Sequence, residues 1–153
     1  MANLISTEPV LADVMTADVL EAAPEDTLGE TAARMAALNT GSAVVVESGR
    51  LVGILTSRDV LRAVAARTHS SEARVRAWMT SEPVTAAPET TADHALHLML
   101  AGGFHHLPVV VEGRPVGVVG LRACAGPDTA PRRRGGPGES HRLPAEFATL
   151  PSH

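Results

Sequence analysis

A hydroxyl and a carboxylate three residues apart, Thr56 and Asp59 in the run Gly53-Ile54-Leu55-Thr56-Ser57-Arg58-Asp59, form the most chemical pair in this chain. Together they can grip the two neighbouring hydroxyls of a ribose, because threonine both donates and accepts while an ionised aspartate accepts. Amides at the start of the helix that follows would favour an anionic group. Gly53 would let a ligand approach the backbone closely. Yet Thr56, Ser57 and Asp59 would also cap that helix with no ligand present. Spacing alone leaves both roles open.

His105 and His106 are the next candidates, since adjacent imidazoles at a strand entrance can meet a phosphate or simply satisfy backbone carbonyls. His94 and His97 stand one helical turn apart, a spacing able to chelate. No cysteine or nearby carboxylate set completes such a site, so no metal is expected. Cys124 is the single cysteine and has no internal disulfide partner, which fits a reducing compartment and a small apolar role. The chain has no G-x-S-x-G, no Walker loop, no Cys/His pair with an orienting acid and no paired carboxylates set apart from solvent turns, so it is not expected to be an enzyme.

The elements that position these groups come from a duplication. Val14-Met15-Thr16 returns as Trp78-Met79-Thr80, Ala22-Ala23-Pro24-Glu25 as Ala86-Ala87-Pro88-Glu89, Gly49-Arg50 as Gly113-Arg114 and Arg58 as Arg122, always displaced by 64 residues. Internal repetition of this kind outranks any single motif. Two similar units pack about a pseudo-twofold axis, so a molecule held between them would touch equivalent positions of both.

In the first copy a brief strand near Val19 to Glu21 precedes the helix start Pro24-Glu25-Asp26-Thr27, and Leu28, Ala32, Met35 and Ala36 recur at helical spacing up to Gly41. Ser42 to Val46 and Leu51 to Thr56 read as strands joined by the turn Glu47-Ser48-Gly49-Arg50. Ser57 is expected to cap a last helix running to about Arg67. The unit is therefore β-α-β-β-α. Its repeat places strands at Val84-Thr85, Leu107 to Val111 and Pro115 to Val119, a helix from Thr91 to Ala101, and a short final turn at Leu121 to Ala125 cut off by Gly126-Pro127.

The expected organisation is an N-terminal segment 1–9, a first repeat 10–68, a connecting helix 69–76 capped by Ser70 or Ser71, a second repeat 77–125 and a disordered tail 126–153. That tail holds five prolines and Arg132-Arg133-Arg134 with almost no apolar periodicity. A hydrophobic share of 44% is ample for a core, and no apolar stretch approaches the roughly 20 residues of a membrane helix. A soluble, cytoplasmic protein is expected. A net charge of −4 and only three aromatic residues disfavour nucleic-acid binding.

The duplicated unit, with Asp13-Val14-Met15-Thr16, the Gly-x-x-Thr-x-x-Asp of Gly53 to Asp59 and the His-His-Leu-Pro-Val of His105 to Val109, resembles a tandem CBS-domain (Bateman) module over about residues 10 to 125. The resemblance implies an α+β fold of two β-α-β-β-α repeats packed with pseudo-twofold symmetry, often dimerised into a disk. It implies a regulatory rather than catalytic module, without cofactor, that binds AMP, ADP, ATP or S-adenosylmethionine as an effector between the repeats and signals to a separate protein partner. By that analogy Thr56 and Asp59 match ribose contacts, Ile54 lines the adenine pocket, and Leu20 forms its other wall. Basic residues at His105, His106 and Arg122 match positions that face ligand phosphates.

The second copy departs from this pattern, because Gly120 and Ala123 stand where Thr56 and Asp59 stand in the first. The two copies look complementary and predict one composite site. Ribose would lie on Thr56 and Asp59, and phosphate on His105, His106 and Arg122. The competing expectation is a ligand-free stress-response or interaction scaffold whose cleft has been abandoned.

Overall fold

The two long helices and both hairpins begin where local chemistry can start them. The computed structural model describes residues 8–126. Along them run α1 (Leu11–Val14), β1 (Glu21–Ala22), α2 (Leu28–Leu38), β2 (Ser42–Glu47), β3 (Arg50–Thr56), α3 (Ser57–Ala65), α4 (Val75–Trp78), β4 (Thr80–Ser81), α5 (Ala92–Gly102), β5 (His106–Val111), β6 (Arg114–Gly120) and α6 (Leu121–Ala125). Disorder expected for the tail concerns residues that, apart from Gly126, lie outside those described.

Thr27 caps α2 by accepting the Glu30 amide at 3.2 Å, and Thr91 caps α5 by accepting the His94 amide at 3.1 Å. Asn39, not Gly41, ends α2: its φ of 54° supplies the left-handed residue that closes many helices. Both hairpins turn through two residues of positive φ, Ser48-Gly49 and Glu112-Gly113, the geometry that matches the twist of paired strands. A bulge follows Val45 in one hairpin and Val109 in the other, so the duplication extends to irregularities.

Two expectations for the region between the copies are overturned. Thr56 rather than Ser57 is the cap of α3, which ends at Ala65. Residues 69–74 are not helical, and the connecting helix is reduced to α4. The reason lies in the carbonyls of that stretch: Ser70 O accepts the Gly29 amide and Ala73 O the Leu28 amide, each at 2.9 Å. They satisfy orphan donors at the start of α2 instead of building a helix of their own.

The segments that open the two copies are exchanged. Thr80 and Ser81 pair antiparallel with Ile54 and Gly53, giving a first sheet of order β1-β2-β3-β4. Thr16 pairs with Val118 on β6, through amide-to-carbonyl bonds of 2.9 and 3.0 Å. Leu11, Val14 and Met15 pack into the core of the second copy with Met99, Leu107, Val109 and Val119. Val75, Trp78 and Met79 pack into the first, with Leu28, Met35, Val45 and Leu55. Boundaries of packing therefore differ from the sequence boundaries at residues 10 and 77.

Gly53 and Gly117 are explained by this exchange. A Cβ at Gly53 would lie 2.5 Å from Met79 Sδ and 2.9 Å from Thr80 O, and one at Gly117 would lie 2.5 Å from Met15 Sδ. The expectation that Gly53 makes room for a ligand is thus corrected: it makes room for the crossing methionine.

In the second copy the strand expected at Val84-Thr85 shrinks to a single parallel bridge between Ala86 and Val109. Val44 N donates to Leu20 O at 2.9 Å in the first copy, whereas Pro108 occupies the equivalent place and has no N–H to give. α6 likewise has only Gly120 before it, with no side-chain cap.

Gly117→Ala should lower unfolding free energy by about 1–3 kcal/mol through overpacking. Gly120→Ala is the control, since a Cβ there meets only His105 O at 3.8 Å. Urea unfolding of both variants checks this, and equal stability would refute the crossing contact.

Candidate functional site

At the C-terminal end of β3 the two copies part to leave a cavity of about 470 Å³. One wall is Ile54, Thr56, Arg58 and Asp59, running from β3 into α3. The opposite wall is the stretch from Thr80 to Val84, together with Phe104, His105 and His106 at the entrance to β5. A volume of this size suits a small organic ligand, and apolar walls with a few convergent polar groups are what such sites have.

Thr56 and Asp59 form a capping box at the start of α3. Asp59 Oδ2 accepts from Thr56 N at 2.9 Å and from Thr56 Oγ1 at 3.1 Å, while Thr56 Oγ1 lies 3.4 Å from the Asp59 amide. Asp59 Oδ1 accepts from Arg62 Nη1 at 2.8 Å. The aspartate is only 5% exposed although it borders the cavity. Both roles left open by the sequence are therefore compatible with the geometry.

A CBS domain model matches residues 11–66 and again 75–125. The chain belongs to the CBS-domain family. It is 34% identical over 109 residues to the CBS domain-containing protein YhcV of Bacillus subtilis, covering 71% of this chain and 78% of that one. Some curated relatives are much longer, and the chain spans 21% and 19% of two of them. Among solved structures, the CBS-domain containing protein ATU1752 from Agrobacterium tumefaciens superposes with a TM-score of 0.70 at 30% identity, covering 76% of this chain and 96% of that one. The CBS domain pair of protein MJ0100, in complex with 5-methylthioadenosine and S-adenosyl-L-methionine, gives a TM-score of 0.70 at 25% identity, with the same shares covered. The α+β fold of two CBS repeats is thereby established.

Of the residues singled out in the sequence, Ile54, Thr56, Asp59, His105 and His106 meet in one cleft of this CBS pair. Leu20 and Arg122 do not. Leu20 lines the pseudosymmetric second cleft of about 370 Å³, with Thr16, Asp18, Val118 and Gly120. Arg122 is exposed on α6 and lines neither cleft. Their places in the first cleft are taken by Val84 and Arg58, their partners in the repeat. Sequence reasoning missed these two, and also Glu82 and Phe104. The fixed displacement contained the first two, once it is known that each cleft joins the β3 end of one repeat to the opening of the other.

His106 borders both clefts. Burial, and then the neighbouring His105, hold its imidazole below the ordinary histidine value of 6.5. His94 and His97 lie exposed on α5, and His97 Nδ1 is 2.8 Å from the Asp93 carbonyl of its own helix. Among the described residues no three His, Cys, Asp or Glu side chains converge as a metal site requires.

Because Asp59 is buried and caps α3, its removal is not neutral for the fold. Asp59→Ala should destabilise the free protein by about 1–2 kcal/mol in chemical denaturation. A change within experimental error would show the cap to be dispensable.

The lowered His106 value also fixes a sign. Below 6.5 the unfolded chain takes up a proton on this residue before the folded chain does. Its contribution to stability is complete above that value and is lost as pH falls through the lower, folded value. The stability difference between the wild type and His106→Gln should therefore shift against the wild type on going from about pH 7 to about pH 5. Parallel stability curves would contradict the burial of this imidazole.

Proposed function

We propose that this CBS pair is a regulatory module that binds one adenosine-containing ligand, an adenine nucleotide or S-adenosylmethionine, in the first cleft and signals the occupancy to a separate protein. The observation that carries this reading is the meeting of Ile54, Thr56 and Asp59 from one repeat with Val84, His105 and His106 from the other around a single cavity. The base would lie between Ile54 and Val84. The ribose would reach Asp59, Arg58 would supply positive charge for phosphate, and His105 and His106 would offer ring N–H donors to it. The complex of MJ0100 with two adenosyl compounds supports the ligand class.

One ligand per chain follows from the asymmetry between the clefts. Where the first has Thr56 and Asp59, the second has Gly120 at its wall and Ala123 beyond it, neither of which offers a side-chain hydrogen bond. A ligand touching both repeats can shift their arrangement only by its difference in affinity for two states. A ligand-free scaffold is the second reading. It is favoured by the completeness of the cap, in which Asp59 already has partners on both oxygens.

Thermal-shift and calorimetric titration with AMP, ADP, ATP, S-adenosylmethionine and adenosine separate the two. At a hundredfold excess over Kd, binding should add about 2.7 kcal/mol and raise Tm by several degrees. Val84→Glu should abolish that rise while changing stability by no more than about 0.5 kcal/mol, since the side chain is 49% exposed. Replacing His105 and His106 together should weaken AMP and ATP far more than adenosine. Absence of a shift with all five compounds would favour the scaffold.

A further inference from the structure

We infer that Arg62 is a positioning residue for the Asp59 carboxylate and that it reports occupancy of the first cleft to Trp78. The inference rests on the reading of that cleft as a ribose site. It starts from the lone pairs of Asp59. Oδ2 already accepts two hydrogen bonds, from the backbone and the hydroxyl of Thr56, and Oδ1 accepts one, from Arg62. A carboxylate has about four acceptor positions, two per oxygen. One remains, on the oxygen that Arg62 holds.

A ribose offers two adjacent hydroxyls. For both to donate to Asp59, one present donor must leave. The Thr56 amide is fixed by the cap, and the Thr56 hydroxyl sits part-buried beside it. Arg62 is different: its side chain is 57% exposed against 8% for Asp59, and it reaches the carboxylate from the solvent side of α3. A long side chain in a half-exposed ion pair is held weakly, so Arg62 is the donor that yields.

The consequence falls on the other partner of Arg62. Its guanidinium carbon lies 5.6 Å from the centre of the Trp78 ring, within range of a cation–π contact. Trp78 ends α4, and the next residues, Met79 and Thr80, are the segment that crosses onto β3, with Thr80 and Glu82 bordering the same cavity. A diol on Asp59 therefore withdraws a cation from the indole at the junction between the repeats. Trp78 is the single tryptophan of the chain, so its emission reads this junction alone.

The experiment follows tryptophan emission, excited at the red edge of the indole band where adenine does not absorb, while calorimetry on the same full-length protein measures binding of AMP and of 2′,3′-dideoxy-AMP. Bound AMP should move the emission toward the spectrum of ligand-free Arg62→Met, and Arg62→Met should bind AMP with no further spectral change. Dideoxy-AMP, which lacks both hydroxyls, should bind more weakly and leave the wild-type emission unchanged. Arg62→Lys keeps a charge for Asp59 without the planar group, and should retain binding with a smaller spectral response. AMP heat without any emission change would overturn the relay and leave the ribose site intact. An equal response to AMP and dideoxy-AMP would also overturn it, since the hydroxyls would then not be the trigger. Absence of heat with AMP and with each of the other four compounds of the titration above would overturn the ribose site itself and the relay with it.

Discussion

The fold depends on one topological constraint: a strand cannot double back to lie parallel to itself across a sheet within a few residues. β4 occupies the edge of the first sheet beyond β3, and its direction matches that of β1 at the far edge, since β1 is parallel to β2 while β3 is antiparallel to both β2 and β4. Parallel strands joined in one sheet need a crossover of about a dozen residues or more. Only residues 17–20 separate Thr16 from β1. The opening segment of the first copy is therefore obliged to complete the sheet of the second, where Thr16 meets Val118. Gly53 and Gly117 then follow as the places where a methionine side chain must pass close over a strand.

That exchange also makes the clefts. Each one lies where β3 or β6 ends and the opening of the opposite repeat crosses, so every cleft has walls from both copies. Divergence after duplication has made them unequal. The first keeps a capping threonine and aspartate and is bordered by two histidines, whereas the second has glycine at the cap. His106 stands in both, held close to Gly41, where an added Cβ would lie 3.2 Å from Nε2. The asymmetry is chemical and the backbone frame is nearly symmetric.

Most elements were legible in the sequence because their signals are local. Thr27 and Thr91 as caps, the glycine turns at Gly49 and Gly113, and the valine runs of β2 and β5 each declare themselves within a few residues. What was not legible is which copy a segment packs against. Leu20 and Ile54 lie in one repeat yet line different clefts, and Arg122 fell outside the cleft of His105 for the same reason. Residues 69–74 failed as a helix because their carbonyls serve α2, a demand that only the tertiary fold imposes.

The crossing also bears on what can be cut apart. A single copy of this unit cannot supply its own edge segment, because the short connection to β1 stands in the way. Each sheet is finished by a segment lent from the other repeat, so a cut between the copies would leave both of them incomplete.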